Sequence, residues 1–362
     1  MLFATGSRKP SIVVAHFLVK AAPEGYVGPS LTVHEVVQLH PSLPRLSISP
    51  APITLSPESI MRRISRLLAF VPLLVIATSA SAAAQKGLKV YISADMEGIA
   101  GVVTADQLGP SGFEYERFRE FMTSSVLAAM EGARAAGATE FVVSDSHGNG
   151  ESLLIDRFPE DVTIVRSWPR PLGMMQGIDS TFDAVLFIGY HAATTNPAGV
   201  RAHTLSSAHY AAVELNGVAV PEAGISAAIA GHFGVPVVMI SGDNIAVGEA
   251  QQLIDRNIAG AVVKQAIGFH SAATLTPQAA NKIISAQAKA GVERRAQVKP
   301  WVLKKPVRLD LTFKNYLPAE VLSLLPIIQR TDSHTIRFEG KDMPEVSRML
   351  EFIGEYSSDL TP

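Results

Sequence analysis

From residue 89 onward the chain alternates between short apolar runs and longer stretches in which apolar residues recur every three or four positions. Residues 89–94 (KVYISA) form an apolar, β-rich run ending at Asp95, the signature of a buried strand. Phe118, Met122, Val126 and Met130 recur every four residues, with Phe121 and Leu127 beside them. They define one face of a long helix ending near Gly137. Residues 141–144, 184–189 (AVLFIG) and 235–241 (VPVVMIS) read as three further strands, and residues 246–257 as a helix. Strands alternating with helices predict an α/β fold, with a largely parallel sheet and helices on both faces.

One segment interrupts the alternation. Residues 210–215 and 218–220 flank Asn216-Gly217, a strong two-residue hairpin signal, because both turn positions must tolerate positive φ. A helix over residues 221–232 follows, with Pro221 suited to its first turn. Beyond residue 265 the pattern changes: a helix over 277–290, a strand over 307–313, a helix over 319–324, a strand over 335–338 and a helix over 344–356. We read residues 85–265 as a metal-binding α/β catalytic domain and residues 266–362 as a smaller C-terminal α+β lobe.

The first 84 residues follow a different rule. Met61 opens a basic start with Arg62, Arg63 and Arg66; residues 67–77 are an apolar run of 11; Ala80-Ser81-Ala82 supplies a small-x-small cleavage signal, with Ala82-Ala83-Ala84 as an alternative. That order is a secretory signal peptide over residues 61–84, and predicts a periplasmic or secreted protein. The apolar run is too short for a membrane span, which needs about 20 residues. Residues 1–60 hold eight of the 23 prolines and show no long helical or strand period. They read as a start codon assigned too early, with a disordered extension as the rival reading.

Composition narrows the chemistry. The net charge is -2, and no basic stripe points to nucleic acid. The chain has no cysteine, which excludes disulfides, thiolate zinc sites and cysteine nucleophiles. A metal here must be held by His, Asp and Glu, which suits zinc, manganese or another divalent ion accepting nitrogen and oxygen.

Ligands in an open α/β sheet bind beyond the carboxyl ends of the strands. Asp95 and Glu97 follow the first predicted strand, Asp145 and His147 the second, and His191 the third. Asp95 and Glu97 share a face if the strand continues, and Gly98 then lets the chain turn. With Glu222 after the hairpin, five candidate ligands converge: Asp95, Glu97, His147, His191 and Glu222. A carboxylate such as Asp95 can bridge two ions, and two ions roughly 3.5–4 Å apart are the usual hydrolytic arrangement. Each residue alone has a plainer role, as a turn cap, a hydrogen-bonded histidine or a first-turn glutamate. The convergence at several strand ends favours the metal.

The blocks KVYISADMEG (89–98), SDSH (144–147), GYHA (189–192), AHT (202–204) and PEAG (221–224) resemble, in order and spacing, the D-aminopeptidase family of the dipeptide-transport operon. The resemblance spans about residues 88–356. It implies a binuclear zinc metallopeptidase in which Asp95 is the shared ligand and Glu97, His147, His191 and Glu222 complete the two sites. It implies that His203 is a non-ligand catalytic histidine, as general base or transition-state stabiliser. It further implies release of N-terminal residues, often D-amino acids, from short peptides, and a large homo-oligomeric ring such as a decamer. Ala202 and Pro221 depart from the Ser and Gly usual in the family, and the loop from His191 to His203 is one residue longer. These departures bear on substrate preference.

Two rival functions remain at this stage. Another metal-dependent amidase or phosphoesterase would use the same ligands, with Arg170 and Arg201 as candidates to hold a phosphate. An exported peptide-binding protein would use the cleft without turnover. His209 could line the pocket or sit on a turn, His232 reads as a helix-end residue, and Tyr190 could reach the site or pack. Lys264 could reach substrate or a neighbouring subunit.

Overall fold

The computed structural model describes residues 87–356, so the expectations for residues 1–60 and for the signal peptide over 61–84 lie outside the described residues. In chain order the elements are β1 (Leu88–Ala94), α1 (Tyr115–Ala135), β2 (Ala138–Asp145), β3 (Val162–Val165), β4 (Ala184–Tyr190), β5 (Tyr210–Leu215) and β6 (Val218–Ala219). There follow α2 (Glu222–His232), β7 (Val237–Asp243), α3 (Asn244–Leu253), β8 (Ala259–Gly268), β9 (Ser271–Thr274) and α4 (Pro277–Glu293). The last five are β10 (Val307–Phe313), α5 (Tyr316–Leu322), β11 (Gln329–Arg330), β12 (Thr335–Gly340) and α6 (Met343–Tyr356). No helix among the described residues is long and apolar enough to cross a membrane.

The main sheet has seven strands in the order β3-β2-β1-β4-β7-β8-β9, parallel except for β9 at the edge. β1 and β4 are buried on both faces for most of their length, which is why they read as unbroken apolar runs. The chain builds β2 and β3 on one side of β1, then returns to build β4, β7 and β8 on the other. Right-handed crossovers in the two directions put helices on opposite faces. On one, α1 packs against α4; on the other, α2 lies on β4, and α3 on β7 and β8. The reversal of direction makes the junction of β1 and β4 the topological switch point, where ligands bind in such folds.

The smaller lobe is an antiparallel sheet in the order β11-β12-β10-β5-β6, covered by α5 and α6. It draws on two parts of the chain. β5 pairs with β10 about 100 residues later, Leu215 opposite Leu309 and Val213 opposite Leu311, so the Asn216-Gly217 hairpin belongs to this sheet. Conversely β9 and α4 join the main sheet, and the division placed at residue 265 falls inside β8. The α2 helix is buried almost all round because it lies between β4 and α6.

Candidate metal centre

All five candidate ligands meet at the carboxyl edge of the main sheet, at the switch point. Asp95 directly follows β1, and its amide still donates to Ile188 of β4 at 2.8 Å. Two glycines then let the chain after β1 touch the end of β4. The Gly98 amide donates to Gly189 O at 2.6 Å. A Cβ at Gly98 would lie 2.1 Å from Tyr190 O, and one at Gly189, where φ is +75°, would lie 2.1 Å from Asp95 O. Gly98 is therefore required for close approach rather than for a left-handed turn. His191 leaves β4 one residue later, His147 lies two residues beyond β2, and Glu222 opens α2.

Buried charge and orphaned atoms dominate the cluster. Asp95, Glu97, His147, His191 and Glu222 are all buried, at 1–6% exposure. His147 Nε2 lies 2.7 Å from Leu108 O, an oxygen that can only accept, so Nε2 carries the proton. Nδ1 then presents a lone pair to Asp95 Oδ1 at 3.1 Å and Glu97 Oε2 at 2.9 Å. His191 repeats the pattern: Nδ1 faces Ala192 O at 3.1 Å, while Nε2 lies 3.2 Å from Asp95 Oδ2 and 3.4 Å from Glu222 Oε2. Asp95 Oδ2, Glu97 Oε2 and His191 Nε2 are buried without a hydrogen-bond partner. Such atoms are costly unless a cation joins them.

The short carboxylate–imidazole contacts fall into two sets that share Asp95, although the donors of Asp95, Glu97 and His191 also lie within 4.8 Å of one another. One holds Asp95 Oδ1, Glu97 Oε2 and His147 Nδ1; the other holds Asp95 Oδ2, His191 Nε2 and Glu222 Oε2. Ligands about 2.0–2.2 Å from a tetrahedral ion lie roughly 3.3–3.6 Å apart, and the carboxylate–imidazole spacings here, 2.9–3.4 Å, approach that. The residues thus fit divalent ions. Without them, protons must balance the charge. Burial opposes charge on His147 and His191, yet Glu97 and Asp95 for the first, and Glu222 and Asp95 for the second, raise both well above the ordinary range. Burial also opposes charge on Glu97 and Glu222, but His147 and His191 respectively hold these carboxyls below it. Asp95 is raised, first by burial and then by Glu97. It is the carboxylate most in need of a cation.

His203 stacks on His191, ring centroids 4.0 Å apart and 5° from parallel. Its Nδ1 donates to Arg201 O at 2.8 Å, which leaves the Nε2 lone pair directed toward Glu222 Oε1 at 3.7 Å. The donors of His191, His203 and Glu222 also lie within 4.8 Å of one another, so geometry admits His203 beside the second set. A cavity of about 360 Å³ opens above the cluster, with Asp95, Glu97, His147, His203 and Glu222 in its floor and wall.

The remaining candidates are placed as follows. His209 lines the cavity with Trp168 and Tyr210. Tyr190 directs its hydroxyl beneath the site, donating to Ser93 Oγ at 2.7 Å, and is a packing residue. His232 ends α2, at the opposite end from Glu222. Lys264 reaches neither substrate space nor surface: its ammonium donates to the carbonyls of Glu97, Ile99 and Val102. Asp145 Oδ2 accepts from the Leu153 amide at 2.7 Å and steadies the loop after His147. Arg170 is buried, donating to Ser144 Oγ at 2.8 Å and Asp145 O at 2.6 Å, and Arg201 lies against Phe269 and His270. Neither arginine lines the cavity, so the phosphate-holding role considered for them has no support.

The sequence did not reveal the cavity's far wall, which α6 supplies through Leu350, Glu351, Gly354 and Glu355. Their spacing marks one helix face, but nothing local says that this face meets a site built about 130–260 residues earlier. Glu351 is tied in by accepting from the Arg170 amide at 2.9 Å.

Comparison with known proteins gives the family. A family model described as D-aminopeptidase, of the M55 peptidases, matches residues 88–352. The chain belongs to the D-aminopeptidase family. It is a metallopeptidase-type hydrolase. A D-aminopeptidase of Bacillus subtilis (strain 168) is 33% identical over 266 residues, covering 73% of this chain and 95% of the relative. A solved structure, the Zn-dependent D-aminopeptidase DppA from Bacillus subtilis, described as a self-compartmentalizing protease, superposes with a TM-score of 0.72. It is 31% identical, over 75% of this chain and 98% of that one. The superposition covers both the main sheet and the smaller lobe.

Proposed function

We propose that the protein is a zinc-dependent aminopeptidase that removes N-terminal residues, D-amino acids in preference, from short peptides, with two zinc ions per subunit. The observation that carries this reading is the pair of donor sets sharing Asp95, with buried orphan atoms in both. Bound zinc supplies an acidified water and an electrophile for the peptide carbonyl. Asp95, Glu97 and His147 would hold one ion, and Asp95, His191 and Glu222 the other. His203, its Nδ1–H fixed on Arg201 O, offers a free Nε2 to accept and return a proton at the cavity floor. The cavity of about 360 Å³ sits at the small end of the range for ligand pockets, which supports short substrates. A homo-oligomer is supported by the self-compartmentalizing description of the similar solved protein. Export to the periplasm or medium rests on the segment starting at Met61.

The test is zinc content by mass spectrometry together with amino-acid release from D-Ala-D-Ala and L-Ala-L-Ala. Two zinc per chain with D-selective release is expected. Two metals without peptide cleavage would move the reading to another metal-dependent amidase. Two substitutions divide the roles. Asp95→Ala should lose both ions and all activity, whereas His203→Ala should keep both ions and lose roughly 10²–10⁴-fold in kcat. Equal metal loss in the two variants would make His203 a ligand.

A further inference from the structure

The best-buried lysine or arginine among the described residues is Lys264, on β8, with 1% exposure. Its ammonium donates to Glu97 O at 2.5 Å, Val102 O at 2.7 Å and Ile99 O at 3.1 Å. An ammonium has three donors, and here all three are used. Burial pushes its pKa down to about 8, so the fold holds this charge against a desolvation penalty. The three carbonyls belong to one short turn, the turn that carries Glu97 away from β1. β8 is three strands away from β1, so Lys264 spans the carboxyl edge of the sheet to reach it.

Asp95 is supported differently. Its amide pairs with Ile188 O as a continuation of the β1–β4 ladder. His191 leaves β4 and Glu222 opens α2, both outside the turn that Lys264 holds. The two donor sets therefore differ in one support. Glu97, found in the first set alone, depends on the turn, whereas Asp95, His147 and His191 follow strand ends and Glu222 opens a helix.

We propose that Lys264 is a positioning residue that fixes Glu97 and so sets the affinity of the ion position formed by Asp95, Glu97 and His147, while the position formed by Asp95, His191 and Glu222 is independent of it. The proposal rests on the two-zinc reading above. Residues that orient metal ligands typically change metal affinity about 10–100-fold when replaced.

The experiment is a zinc titration of the full chain against a chromophoric chelator, with bound zinc counted by mass spectrometry. Three proteins are compared: wild type, Lys264→Met, and Ile284→Ala. Ile284 is a buried core residue on α4 and belongs neither to the turn nor to β8, so its truncation serves as a general destabilisation control. Wild type should bind two zinc tightly. Lys264→Met should keep one and bind the second about 10–100-fold more weakly, with kcat recovering at high zinc. Ile284→Ala should bind both as wild type does. Should Lys264→Met fail to fold, Lys264→Gln, which keeps amide donors, carries the test and should show a smaller loss confined to one ion. Wild-type affinity at both positions, equal weakening of both, or the same split in Ile284→Ala would overturn the proposal. A wild-type protein that binds no zinc would instead bring down the two-zinc reading and this proposal with it.

Discussion

Gly189 shows how closely single residues govern the site. It sits at φ +75°, one residue before Tyr190 and two before His191, and the space where its Cβ would be is filled by Asp95 O at 2.1 Å. Alanine there would add about 1–2 kcal/mol of left-handed backbone strain and would force apart the two segments that present Asp95 and His191. Gly189→Ala should therefore lower both the melting temperature and the zinc content. A variant that melts lower yet holds full zinc would separate the two effects and count against close approach as the reason for glycine. The positions of the five clustered residues were legible in the sequence because each follows a strand end or opens a helix, where a short local pattern fixes its place. Lys264 was visible as a residue but not as a tether, since its three acceptors are backbone carbonyls more than 160 residues away. Arg170 misled for a related reason. Its charge suggested a phosphate, whereas burial commits the guanidinium to Ser144 and Asp145.

Elements were readable where their own pattern decided them. β1, β4, β7 and α1 carry long apolar signals and lie within a few residues of their expected bounds. β3 is a four-residue edge strand, and β8 mixes Gly, Ala and Lys with its valines, so neither signal rose above its neighbours. β5 and β6 were expected as a hairpin and β10 as a strand over 307–313, but the pairing of β5 with β10 could not be read, because pairing across about 100 residues leaves no local trace. The hairpin turn has both residues in the left-handed region, Asn216 at φ 53° and Gly217 at φ 83°. Asn216 also fastens the hairpin to the segment entering β10: Oδ1 accepts from the Arg308 amide at 2.8 Å, and Nδ2 donates to Lys304 O at 3.0 Å. Asn216→Ala loses both bonds and a residue suited to the turn, which sums to roughly 2–3 kcal/mol. Chemical denaturation should show that loss. Glu222 has its own support at the start of α2, so zinc content should stay at the wild-type level; a loss of zinc would mean that the hairpin positions Glu222 directly.

At the scale of the whole molecule the buried carboxylate–imidazole cluster is a stability element, because it sits where the two halves of the main sheet meet. Three buried carboxylates and two buried imidazoles must be neutralised among themselves when no cation is bound. In the metal-free protein His147 and His191 have raised values, so the folded state binds more protons than the unfolded chain. That contribution is fully present below the unfolded imidazole value, near 6.5, and is lost as the pH rises through the folded values. Glu97 and Glu222 are lowered, and their contribution is present above the ordinary carboxylate range and lost as the pH falls through the folded values. The metal-free protein should thus be most stable in mildly acid solution, between those two ranges. Zinc requires unprotonated imidazoles, so its apparent affinity rises with pH over the interval in which the metal-free protein weakens. At a thousandfold excess over Kd one ion adds about 4 kcal/mol, or roughly 10 °C in a chain of this size. Thermal melts of chelator-treated and zinc-loaded protein at pH 5.5, 7.0 and 8.5 should show a gap that widens at each step. A gap of constant size would mean that protons do not occupy the site when metal leaves, and that the imidazole lone pairs find partners elsewhere.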